Sequence, residues 1–229
     1  LGLIGENGAG KSTLMNVLGG NIPYDQGEIL LNGKPYRVNN AEEATQSGIS
    51  FIHQELNLFT NLSIAENLFI NNFPKYGKSV FINKQKAKAD TKKYLDMVEL
   101  DLSPNILVER LSPGERQLVE VAKALSTEAS IIIFDEPSTS LTNRETERLF
   151  KIINRLHETG RTIIYISHIL GDILQLADEI AILRDGKLIE VGPKNTFTVN
   201  RMIKQMVGRD INQLYPDQVA FDGDEKCLE

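Results

Sequence analysis

Cysteine is almost missing from this chain of 229 residues: Cys227 stands alone, so no internal disulfide can form. That excludes a disulfide-stapled fold and fits a reducing compartment, with the cytosol as the default. A basic surplus is missing too. Lys and Arg number 25 against 31 Asp and Glu, a formal net charge of −6. With a pI near 5.3, this argues against nucleic acid as a partner, since phosphate binding shows as a basic face and a high pI. No apolar run approaches the ~18 residues that a membrane helix needs. The densest stretches, Ile131 to Phe134 and Thr162 to Ile166, have the length of buried strands. Internal repeats, low-complexity tracts and a signal-peptide pattern are also lacking. The chain opens on Leu1 rather than Met, at the tail of an apolar strand, and reads as a fragment.

What is present is an alternation of short Ile- and Val-rich runs with helical patterns, which predicts an α/β fold with a mostly parallel sheet covered by helices. Leu1 to Ile4 leads into a glycine-rich loop and a helix from about Lys11 to Leu18. Glu28 to Leu31 and Lys34 to Val38, joined by Asn32-Gly33, read as an antiparallel hairpin. Asn40 caps a short helix ending at Gly48, followed by a strand from Ile49 to His53. From about 58 to 128 no strong strand occurs. Ser63 with Glu66 forms a capping box, and a helix from about Lys84 carries Ala87, Thr91, Tyr94, Leu95 and Val98 on one face. Strand Ile131 to Phe134, helix Asn143 to Thr159 and strand Thr162 to Ser167 make a βαβ unit, with Thr142 and Glu145 as its capping box. A second hairpin turns at Asp185-Gly186, and a last helix ends near Val207-Gly208.

Gly5-Glu6-Asn7-Gly8-Ala9-Gly10-Lys11-Ser12, followed by Thr13, matches GxxxxGK[ST] between a strand and a helix. A chance match in such a chain has odds of about one in a hundred. Its backbone N–H groups would wrap a β-phosphate, Lys11 would neutralise β/γ charge, and the Ser12 hydroxyl would ligate Mg²⁺. Strand Ile131 to Phe134 ends in Asp135-Glu136, so two carboxylates emerge at the carboxyl edge of the sheet, where α/β proteins bind ligands. Asp135 is the candidate for the Mg²⁺ shell and Glu136 for polarising an attacking water.

Leu111-Ser112-Pro113-Gly114-Glu115, lying before Asp135, resembles the signature of ABC ATPases. Gln54 and His168 fall where that family has its Q-loop and switch histidine. With the phosphate loop and Asp135-Glu136-Pro137, these motifs occur in the family's order over residues 1 to about 211. Ile52-His53-Gln54-Glu55-Leu56, Val119-Glu120-Val121-Ala122-Lys123 and Tyr165-Ile166-Ser167-His168 look closest to the amino-terminal half of tandem ATPases driving bacterial simple-sugar importers.

The resemblance implies a P-loop NTPase of the ABC type: a mostly parallel core sheet, a small antiparallel β part and a helical subdomain at about 58–128. ATP and Mg²⁺ would be its cofactors. ATP would lie between one unit's phosphate loop and the opposing unit's signature. Glu136 would be the catalytic base, His168 would bind the γ-phosphate and the water, and Gln54 would join the Mg²⁺ and water shell. Implied partners are transmembrane permease subunits, a second ATPase half and, indirectly, a solute-binding protein. The place would be the cytoplasmic face of the membrane. Residues 1–211 would form the ATPase domain, and the acidic stretch 212–229 a linker.

Three residues depart from the family pattern. Pro113 replaces a Gly and removes one N–H donor. Glu115 replaces the usual Gln and brings negative charge toward the opposing phosphate. Thr142 stands where many members have Asp. Two alternatives stay open here: a soluble ABC ATPase acting on ribosomes or DNA, and a half-unit that binds ATP without hydrolysing it.

Overall fold

The computed structural model describes residues 1–53, 57–77 and 80–208. The expected linker at 212–229 lies outside the described residues. Along the chain, β1 (Gly2–Ile4) is followed by α1 (Lys11–Leu18), the short strands β2 (Leu30–Leu31) and β3 (Lys34–Pro35), α2 (Ala41–Gln46) and β4 (Ile49–Ile52). A helical stretch comes next, with α3 (Ile64–Phe69), α4 (Lys84–Met97) and α5 (Pro113–Ser126). The chain then returns to the sheet through β5 (Ile131–Asp135), α6 (Asn143–Glu158), β6 (Thr162–Ile166), α7 (Leu170–Leu176), β7 (Glu179–Arg184), β8 (Lys187–Pro193) and α8 (Val199–Val207).

The main sheet has six strands in the order β4-β5-β6-β1-β7-β8. Only β8 runs antiparallel to its neighbour. Central parallel strands are covered on both faces, which is why they read as unbroken apolar runs rather than alternating ones. Ile132 and Phe134 point into the larger core with Leu149, Ile152 and Ile153 of α6, while Ile133 points into the opposite core with Leu3, Met15 and Ile49. Because β1, β4, β5 and β6 are parallel, their carboxyl ends open on one edge, and that edge carries every motif that follows a strand.

The hairpin at Asn32-Gly33 forms with φ of 52° and 74° at these residues. That is the backbone of a tight type I′ turn, which Asn and Gly accept at little cost. Its strands are two residues each, shorter than expected. Between β4 and β5 the described segments are helical apart from isolated bridges. Ala87, Thr91, Leu95 and Val98 are buried, as the spacing predicts, and Tyr94 packs at their margin. Helix α5 packs against α3, α4 and β4, joining the helical layer to the sheet.

Helix α7 is an element the sequence reading did not anticipate. It has no side-chain cap, and Gly171 sits in its first turn. Tertiary packing holds it instead: a Cβ on Gly2 would press on Ile173 and Ala177, so the glycine in β1 lets α7 approach the sheet closely. Among the described residues, no helix is long and apolar enough to cross a membrane.

Candidate functional site

The loop between β1 and α1 is shaped by its glycines and braced from the β7–β8 hairpin. A Cβ on Gly5 would collide with the Leu183 carbonyl, so only glycine fits there. Gly8 and Gly10 adopt φ of 85° and 100°, which side-chain-bearing residues rarely adopt. The Gly186 N–H donates to the Ala9 carbonyl at 3.1 Å, and Ala9 N–H closes the turn onto Glu6 O at 3.0 Å. The Lys11 ammonium is buried and donates to the carbonyls of Gly5 at 2.7 Å and Glu6 at 3.1 Å. Helix α1 starts at Gly10 with no side-chain cap and no acid in its first turn. Its leading N–H groups and positive dipole end therefore favour an anion. Ser12 and Thr13 are exposed at this turn, as are Glu6, Asn7 and Gly8 before it.

Asp135 and Glu136 leave β5 at the same edge. Burial, and then the neighbouring Glu136 carboxylate, hold Asp135 above its ordinary 3.8, with His53 and Lys11 pulling it back. Glu136 sits at φ 48°, a left-handed conformation that costs a non-glycine residue ~1–2 kcal/mol. Its N–H donates to Ile166 O at 2.9 Å, and its carbonyl accepts from the Thr139 hydroxyl at 3.1 Å. So held, the Glu136 carboxylate lies 3.0 Å from Nδ1 of His168. The glutamate side chain is 14% exposed and the histidine 53%. One wall of the pair is protein and the other is open to a ligand.

Ser112 caps α5 and Pro113 opens it. The Ser112 hydroxyl accepts from Glu115 N–H, and Glu115 Oε2 accepts from Ser112 N–H at 2.8 Å. The charge that Glu115 introduces is therefore engaged with its own helix start. Gly114 is buried against Glu145, where a Cβ would clash, and its N–H donates to the Glu145 carboxylate. Leu111 anchors the segment in the core. A groove of about 730 Å³ runs beside it, lined among others by Ser112, Glu115, Gln117, Thr142 and Arg148.

The family model for ABC transporters matches residues 1–139. The chain belongs to the ABC transporter family. Among its relatives is the galactose/methyl galactoside import ATP-binding protein MglA of Escherichia coli strain K12, 44% identical over 94% of this chain and 42% of that protein. The protein of the same name from Salmonella typhimurium strain LT2 is 44% identical over 97% of this chain and 44% of that one. The chain thus spans less than half the length of these curated relatives. A solved ATP-binding cassette of an ABC transporter, in its ADP conformation, superimposes with a TM-score of 0.77 at 25% identity, covering 91% of this chain and 87% of that chain.

Seen as an ABC cassette, the edge brings Lys11, Ser12, Asp135, Glu136 and His168 to neighbouring strand ends. Gln54 lies outside the described residues. His53, at the end of β4, is a further neighbour of Asp135. Ile52 pairs with Phe134 in register, so the next residues, His53 and Asp135, come side by side. Only the β4–β5 pairing reveals this. Tyr36 donates its hydroxyl to Leu18 O at 2.6 Å and Phe51 stacks on His53, so both aromatic rings serve the fold.

Proposed function

We propose that the chain is the ATP-hydrolysing cassette of an importer for simple sugars or related small polar solutes. The observation that carries this reading is the convergence of the uncapped α1 start, buried Lys11 and the Glu136–His168 pair on one sheet edge. The family and the sugar-import relatives add the transport context.

In this reading the N–H groups from Gly5 to Thr13 cradle the phosphates of ATP. Lys11 has a third N–H to give a β- or γ-phosphate oxygen beyond the two held by the loop. Among the described residues no group of three or more His, Cys, Asp or Glu could hold a metal unaided. Mg²⁺ binds nucleotide sites through one or two protein oxygens, phosphates and waters. Ser12 would ligate it, Asp135 would hold its shell through water and Gln54 would join the Mg²⁺ and water shell; Asp135, burdened by burial and Glu136, would gain a compensating cation. Bound there, Mg²⁺ would neutralise charge on the β- and γ-phosphates. Glu136 polarises the attacking water. His168 keeps the Glu136 carboxylate oriented and donates toward the γ-phosphate.

The signature Leu111 to Glu115 would serve the ATP of an opposing unit, a second ATPase half. Residues 1–211 would be one such half and 212–229 the connector. The membrane partners would be permease subunits fed by a solute-binding protein, with the cassette at the cytoplasmic face. The test is ATP hydrolysis by the full-length protein reconstituted with its permease, with binding protein loaded in turn with galactose, methyl galactoside, ribose or xylose. A rate that rises with one loaded sugar is the expected result. A rate indifferent to binding protein in every case would overturn the importer reading.

A further inference from the structure

Behind the Glu136–His168 pair lies a buried polar cluster that the hydrolytic chemistry does not use. The Ser138 hydroxyl donates to Asp172 Oδ2 at 2.6 Å. The Tyr165 hydroxyl lies 3.2 Å from the same oxygen and 3.3 Å from Ser138 Oγ. All three side chains are buried. Burial above all pushes the Tyr165 hydroxyl far up from its ordinary value, so it remains a neutral donor. Its ring is fixed by Phe150 edge-on at 6.0 Å and by Phe134 at 6.3 Å.

The three residues come from three segments that meet at the site. Ser138 follows Glu136 in the turn after β5. Tyr165 precedes Ile166, whose carbonyl takes the Glu136 N–H. Asp172 stands in the first turn of α7, just past His168, where its N–H donates to Ile169 O at 3.1 Å. A further tie in the same turn is Ile169 N–H to the Ser167 hydroxyl at 3.0 Å. A buried carboxylate with two hydroxyl donors is rigid, because loosening either bond leaves a charge unsatisfied in an apolar surrounding.

We infer that Ser138, Tyr165 and Asp172 are positioning residues for ATP hydrolysis: their hydrogen bonds staple the Glu136 turn to the His168 turn and hold the two side chains at their working separation. The inference rests on Glu136 acting as the base. Helix α7, which brings Asp172, thereby has a task beyond packing. The strained φ of Glu136 fits the same picture, since surrounding bonds must hold such a residue in place. The hydrogen bonds of these three side chains run among themselves, not to the phosphate loop, so loosening them should misplace the base without weakening ATP binding.

The test is steady-state hydrolysis by the full-length protein with its membrane partners, comparing S138A, D172N, Y165F and S138T with wild type. Misplacing a catalytic group by about an ångström costs up to ~100-fold. The expected result is kcat reduced ~10- to 100-fold in S138A and D172N, with KM for ATP within ~3-fold of wild type. Y165F, which deletes one hydroxyl from a ring already gripped by two others, should fold and lose kcat more mildly. S138T keeps the hydroxyl and should restore kcat. Wild-type kcat in S138A, D172N and Y165F overturns the inference, as does a parallel loss of kcat and ATP affinity that S138T fails to relieve. E136Q run alongside separates the two levels. If E136Q stays active, the assignment of the base falls and takes this inference with it. If E136Q is inactive while the three variants run at full speed, the inference alone falls.

Discussion

Glu120 on α5 is 5% exposed, and its Oε1 has no hydrogen-bond partner among the described residues. Its carboxylate accepts from the Asn57 N–H, while Lys123 donates to the Asn57 carbonyl at 2.8 Å. Burial dominates and pushes its pKa above the ordinary 4.5, against the pull of Lys123 and Asn57. A carboxyl raised in the folded state favours folding below its unfolded pKa and loses that advantage as pH rises through the folded value. E120Q should therefore raise the melting temperature relative to wild type at pH 7, and the difference should vanish below about pH 4. A lower melting temperature for E120Q at pH 7 would show that the carboxylate is compensated after all. Gly5 offers a second test. Since a Cβ there meets backbone rather than a movable side chain, G5A should cost ~1–3 kcal/mol and also abolish ATP binding, measurable by denaturant unfolding and by calorimetry.

Among the elements, one side chain at the start of α6 serves its own cap and also reaches the start of α5. Glu145 accepts from the Thr142 N–H at 2.9 Å and from the Thr142 hydroxyl at 2.8 Å, and also takes the Gly114 N–H from the start of α5. The backbone and side chain of Thr142, with the Gly114 bond, hold its pKa below the ordinary 4.5. A carboxylate so lowered stabilises the fold above its unfolded pKa, and the contribution fades as pH falls through the folded value. The stability gap between wild type and E145A should thus narrow as pH drops below about 4, and T142A should cost ~1 kcal/mol at neutral pH. A gap independent of pH would mean that Glu145 acts by packing alone. Capping boxes of this kind were legible in the sequence because they are local: Ser63–Glu66 and Thr142–Glu145 form as read, and Ser112–Glu115 follows the same pattern. Helix α7 was not legible, since it has no cap and rests on contacts with β1. The nearness of His53 to Asp135, and the Ser138–Tyr165–Asp172 cluster, depend on strand order, which no short spacing encodes.

Across the whole molecule, the sheet order places β1 between β6 and β7, so the loop after β1 is braced by the β7–β8 hairpin on one side and faces the ends of β5 and β6 on the other. That topology turns motifs far apart in sequence into one edge. The glycine-rich loop, an uncapped helix start and the paired Glu136 and His168 then stand together. On our proposal this chain's own edge hydrolyses ATP, with Glu136 as the base. The most direct test is a comparison of wild type and E136Q in the full-length protein, measuring Mg-ATP affinity and turnover on the same preparation. The account predicts that E136Q binds ATP as tightly as wild type while turnover falls ~100-fold or more. Turnover that survives the substitution would contradict it.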